Sequence, residues 1–139
     1  MVNTAPIFTM IFQIKELTFI NQGTKYVLEF NKLDQDPYNP KMQFKLNGQI
    51  IDEKKAKQFY LSLLELKADA ETEHKGIEEK AELQMIATYE NGEKTTIEYI
   101  PYNQNFYEIS TNGVRDFVIV KEKIATLLQK LESLSNKAN

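Results

Sequence analysis

Three Asn-Gly pairs punctuate this chain, Asn47-Gly48, Asn91-Gly92 and Asn112-Gly113. Each lies between runs with a strand-like pattern. Asn and Gly tolerate the positive φ that tight hairpin turns demand. A chain turned back on itself at these points is committed to antiparallel pairing over much of its length. Asn21-Gln22-Gly23 reads as a fourth, looser turn. The flanking residues agree. Leu83, Met85, Ala87 and Tyr89 share one strand face, with Glu82, Gln84, Ile86 and Thr88 on the other. Tyr26, Leu28 and Phe30 alternate in the same way, as do Met42, Phe44 and Leu46. Thr95 to Tyr102 and Phe106 to Ser110 are rich in β-branched or aromatic residues.

Two stretches change to helical spacing. Ala56, Phe59, Tyr60, Leu63 and Leu66 form one stripe. Asp52 stands where its carboxylate accepts a free N–H of the first turn. Ile124, Leu127, Leu128, Leu131 and Leu134 form the second stripe, with Ser135-Asn136 as its expected end. The predicted fold class is α+β, an antiparallel sheet with two helices packed on it. The whole chain, residues 1–139, is read as one domain. Within it, two similar β-hairpin-strand-helix halves are expected over residues 12–67 and 81–135. A charged, exposed connector, residues 68–80, would join them. Any hairpin followed by a helix gives this pattern, so duplication and coincidence both remain open. The expected core includes Leu28, Phe30, Phe44, Phe59, Leu63, Leu83, Met85, Ile97 and Ile109. Phe117, Ile124, Leu127, Leu128 and Leu131 complete it.

Composition removes several functions. The net charge of −3 argues against a nucleic-acid or anionic-membrane surface. There is no cysteine, hence no disulfide, thiolate metal site or cysteine nucleophile. One histidine, His74, excludes any site that needs two. The apolar run Ile7 to Phe12 is far shorter than the ~20 residues of a membrane-spanning helix. It follows no basic segment, so it is not read as a signal peptide.

The remaining candidates are few. His74 sits beside Glu71, Glu73 and Glu78 in the connector, a poor ligand set for a metal. Asp34-Gln35-Asp36 resembles the start of a calcium loop but lacks its glycine and distant glutamate, and reads as a turn. Glu29 and Glu98 occupy matching strand positions and are expected to face solvent. No glycine-rich phosphate cradle or nucleophile elbow is present. Nothing calls for a cofactor or metal. Tyr102 with Asn103, Gln104 and Asn105 is expected at a hairpin tip, and Tyr38 with Asn39 at another. An aromatic ring beside amides suits sugar or peptide contact. The plainer reading is a turn whose tyrosine covers the sheet edge.

Lys45-Leu46-Asn47-Gly48, Ile51-Asp52, Phe59-Tyr60 and Leu66-Lys67-Ala68-Asp69 follow one another in order. Glu98-Tyr99-Ile100-Pro101-Tyr102, Phe106-Tyr107, Asn112-Gly113, Phe117-Val118-Ile119 and Lys121-Glu122-Lys123-Ile124 continue the series. From about Ile14 to Leu134 this series resembles the bacterial "domain of unknown function 4340" family in its Gram-positive form. The resemblance implies an extracytoplasmic module behind a single N-terminal membrane anchor, which would be missing from this soluble portion. It also implies a membrane transport complex of the ABC type as partner. It carries no catalytic residues. One departure is Val120, where relatives often hold a polar helix cap, so the second helix is expected to start less sharply. The functional expectation is a non-catalytic interaction module. The alternative is a small-ligand or glycan-binding domain, with a small hydrolase or isomerase ranked last.

Overall fold

The computed structural model describes residues 14–38, 40–72 and 80–135. Its first strand is β1 (Ile14–Asn21), returning through Gln22 and Gly23 into β2 (Thr24–Lys32). A longer loop leads to β3 (Met42–Leu46), and Asn47-Gly48 to the short β4 (Gln49–Ile51). Helix α1 (Glu53–Leu64) follows at once, with Asp52 as N-cap, its Oδ2 accepting the Lys55 N–H at 2.9 Å. After α1 the chain forms β5 (Ala70–Glu71). The second run of strands is β6 (Leu83–Tyr89), β7 (Lys94–Pro101), β8 (Phe106–Thr111) and β9 (Val114–Val120), closed by α2 (Lys121–Ser135).

All nine strands form one antiparallel sheet in the order β4-β3-β2-β1-β6-β7-β8-β9-β5. Both helices lie on one face. The core between them holds Leu17, Phe19, Leu28 and Phe30 from the left of the sheet, and Met85, Ile97, Tyr99 and Ile119 from the right. Phe59 and Tyr60 of α1 meet Phe19 and Phe30 edge-on, with ring centroids 5.7 and 6.0 Å apart. Ile124, Leu127 and Leu131 of α2 join the same cluster.

The turns explain this order. Asn47 and Gly48 have φ of 50° and 84°, Asn112 and Gly113 of 50° and 90°, the paired left-handed residues of a two-residue hairpin. Each asparagine also reaches the strand beyond its own hairpin. Asn47 Oδ1 accepts the Val27 N–H and its own N–H donates to Val27 O, both at 2.8 Å. Asn112 does the same with Thr96, again at 2.8 Å. Gln22 and Gly23, expected as a looser turn, make a third tight turn at φ of 48° and 90°. Asn91-Gly92 differs. Only Gly92 has positive φ there, Asn91 Oδ1 accepts the Glu93 N–H, and the loop is longer.

Four expectations change. β1, absent from the sequence-based core, is an interior strand beside the central β6, and Leu17 and Phe19 are fully buried. Phe117 and Leu128 pack against the core but are only partly buried. The expected connector begins with ordered chain: Ala68 packs on the core and β5 pairs with β9. Finally, Gln22-Gly23, expected to be looser, turns as tightly as the two-residue Asn-Gly hairpins. His74, Asn39 and Asn136 lie outside the described residues.

One polar group stands out in the core. Tyr99 is fully buried, and its hydroxyl meets no hydrogen-bond partner among the described residues. Burial accordingly pushes that phenol above its ordinary pKa. The first half has Phe30 in the corresponding place beside β3. A hydroxyl buried without a partner costs about 1–3 kcal/mol. Tyr99→Phe is therefore expected to raise unfolding free energy by about 1 kcal/mol in urea titration. A loss of stability would show that the hydroxyl is bonded in the folded chain.

Candidate functional site

The antiparallel order places the two predicted tips at opposite ends of the sheet. The β2–β3 loop lies at the end where β1 begins, and the β7–β8 loop where β1 finishes. Tyr38 and Tyr102 therefore belong to separate surfaces. Tyr38 is 87% exposed. Asp34 Oδ1 accepts the Asp36 N–H, Asp34 Oδ2 the Lys41 N–H, and Asp36 Oδ1 the Tyr38 N–H, so these carboxylates shape the turn.

At the other tip the candidate groups hold the fold together. Asn103 Oδ1 accepts the N–H groups of Asn105 and Phe106, both at 2.9 Å. The Asn105 carbonyl accepts the Lys121 N–H at the start of α2. The Tyr102 hydroxyl lies 3.1 Å from Thr72 Oγ1. Thr72 flanks β9 while Tyr102 ends β7, so this contact spans β8 and β9. Beneath that span, on the face away from the helices, Ile100, Glu108, Ser110 and Val118 are buried.

Glu108 is fully buried and bound to Arg115, whose Nε donates to Glu108 Oε1 at 2.9 Å. A second guanidinium nitrogen meets the same oxygen. The sequence reading missed this pair. Its one signal was that Arg115 is the only arginine in the chain. Such a pair is costly to break, because either partner alone leaves a buried charge.

The outer face of the central strands is different. One row of neighbours reads Lys45, Glu29, Glu16, Thr88 and Lys94. The next reads Val27, Thr18, Ile86 and Thr96, and the next Lys25, Ile20, Gln84, Glu98 and Ser110. Glu29 and Glu98 thus face outward, as expected. Glu98 accepts from Gln84 Nε2 at 3.4 Å. An apolar strip of Ile20, Val27 and Ile86 runs half-buried between charged rows. An open cleft of about 920 Å³ borders this strip, lined by Ile20, Gln22, Lys80, Glu82, Gln84 and Glu98 among others. Glu82 also touches Tyr107, whose phenol is pushed up to about 12, first by burial and then by the hydrogen bond and charge of Glu82. Lys121 Nζ lies 5.2 Å from the centre of the Tyr107 ring.

No protein-family model, no curated protein and no solved structure matches this chain. Its chemistry has to be read from its own geometry. Among the described residues no group of three or more His, Asp or Glu converges as a metal site. Among them, too, no helix is long and apolar enough to cross a membrane. What the arrangement offers among the described residues is a mixed polar and apolar surface on the face away from the helices.

The strap from α1 to β9 carries the strongest local electrostatics. Asp69 N–H donates to Val118 O at 2.9 Å, and Asp69 Oδ2 accepts the Val120 N–H at 2.8 Å. Asp69 Oδ1 pairs with Lys123 Nζ at 2.7 Å. Asp69 thus ties the end of β9 to the first turn of α2 from 51 residues away. Desolvation, the largest single influence, raises the Asp69 carboxyl. The Lys123 hydrogen bond, the Val120 N–H and the Lys123 charge together outweigh it, and the pKa falls below 3.8. A carboxyl depressed by folding stabilises fully above its unfolded value, and that stability is lost as pH drops through the folded value. Asp69→Ala is expected to cost about 1 kcal/mol at neutral pH, the usual net size of a lost hydrogen bond. The gap from wild type should narrow below the ordinary carboxylate range in denaturant melts. A gap unchanged from pH 7 to pH 2 would show that the carboxylate charge contributes nothing.

Proposed function

We propose that the chain is a non-catalytic interaction module of the bacterial "domain of unknown function 4340" family, working outside the cytoplasm. In this reading it is held at the membrane by the anchor the resemblance implies, and is accessory to an ABC-type transport complex. The observation that carries the interaction reading is the outer face, which neither helix covers. Both helices lie on the other side of the sheet, while Ile20, Val27 and Ile86 sit half-exposed between rows of lysine and glutamate. A flat surface of apolar centre and charged surround suits contact with another protein.

The two halves read as copies of one unit. Supporting this, Leu28–Leu46 and Phe30–Phe44 across β2 and β3 correspond to Ile97–Thr111 and Tyr99–Ile109 across β7 and β8. The Asn47–Val27 bonds recur as Asn112–Thr96. The pairs Leu17–Ala87 and Phe19–Met85 exchange under a two-fold axis passing between Thr18 and Ile86. Repeated units that share a sheet bury a common core.

The test is affinity capture from solubilised membranes of the source cell, using wild type and Ile86→Lys. The substitution adds a charge to the outer strip and leaves the helix-side core untouched. Wild type should recover a permease or ATPase subunit of a transport system, and Ile86→Lys should not. Recovery of no such subunit, or equal recovery by both, would contradict the proposal.

A further inference from the structure

We infer that the outer edge of β9, with the start of α2, is a strand-acceptor site for an extended, aspartate-bearing segment of a partner protein, and that β5 occupies it in cis. The resident segment defines the occupant. Asp69 N–H and Thr72 N–H donate to Val118 O and Asp116 O, each at 2.9 Å, as an added strand does. The Asp69 carboxylate meets two donors at once, the Val120 N–H and Lys123 Nζ. Lys123 Nζ also reaches Lys67 O at 3.4 Å. The site thus reads a carboxylate at one fixed place along an extended backbone.

The resident strand is short, and its hydrogen bonds lie at the exposed sheet edge. β5 has two residues against the seven of β9, and both Ala70 and Glu71 are exposed. Few apolar contacts and exposed hydrogen bonds mark a segment of low local stability. Val114, at the start of β9, lies outside the two residue pairs of β5 with β9 and is 59% exposed. The opposite edge has no such socket. β4 has three residues, and the N-terminus of α1 already holds its own Asp52 carboxylate. Being tethered, β5 competes at an effective concentration in the millimolar range. A partner strand therefore has to pair over more of β9 than β5 does.

This inference stands apart from the transport reading, because its probe is the chain's own segment. A labelled peptide of residues 67–72 is titrated against wild type and Thr72→Pro, following backbone amides by NMR. Thr72→Pro removes the Thr72 N–H bond and disturbs the Tyr102 contact, which loosens β5. The peptide should bind Thr72→Pro at least tenfold more tightly than wild type, shifting the amides of Val118 to Lys123. A peptide with Asp69→Ala should bind at least tenfold more weakly. The Asp69→Ala chain gives a second readout: the unaltered peptide should restore its melting temperature towards wild type, and the alanine peptide should not. Equal binding by both peptides would overturn the inference. So would the absence of binding to folded Thr72→Pro together with no rescue of Asp69→Ala.

Discussion

The pairing of β1 with β6 is the joint on which the molecule depends. Within the sheet, β2 to β4 on its left and β7 to β9 with β5 on its right are joined across this antiparallel contact, while above it α2 meets α1, Lys130 Nζ donating to Ser62 Oγ at 3.0 Å. Leu17 and Phe19 face Ala87 and Met85 across it, and all four are at most 1% exposed. Their burial requires both helices above them. The joint therefore turns two small, half-covered sheets into one layer with a shared apolar side. It also places the outer strip, Val27, Thr18, Ile86 and Thr96, across the middle of the opposite side. The proposed contact surface exists only because the two central strands lie together.

Much of this was legible in the sequence because it is local. Asn47-Gly48 and Asn112-Gly113 dictate their turns through backbone conformations that few other residues adopt. The helical stripes have the period of the elements they form, and Asp52 caps α1 from the adjacent residue. What was missed is non-local or too short for a period. The pairing of β1 with β6 is irregular between Ile14 and Glu16, and Leu17, Thr18 and Phe19 are buried in succession with Ile20 on the outer face, so β1 shows no clean alternation. Two residues of β5 carry no pattern at all. The same dipeptide makes a longer loop at Asn91-Gly92, since Glu90 and Glu93 flank it there and the ladder closes one residue further out. Asp69 and Val120 are neighbours only after folding.

The candidate residues divide in the same manner. Tyr102, Asn103 and Asn105 were recognisable as a turn from composition, but whether their polar atoms are spent on the fold depends on Thr72 and Lys121, distant in sequence. Glu108 and Arg115 stand on adjacent strands, and nothing local marks Glu108 as the carboxylate that is fully buried among the described residues. The outer face reads as ordinary solvated alternation until the sheet order brings Ile20, Val27 and Ile86 side by side. Recognition surfaces of this kind are properties of register, and register is set by turns and by the buried face together.

Since the chain has no cysteine, the central joint is open to a direct measurement. Thr18 and Ile86 stand opposite each other on β1 and β6, at a spacing that a small backbone adjustment brings into disulfide range. Thr18→Cys with Ile86→Cys, oxidised at high dilution, should give a monomeric, internally crosslinked chain with a raised melting temperature. Thr18→Cys with Ile100→Cys, two strands apart, should stay reduced under the same conditions. If the first pair stays reduced or links only between molecules while the chain is folded, β1 and β6 are not neighbours and the single-sheet account is wrong.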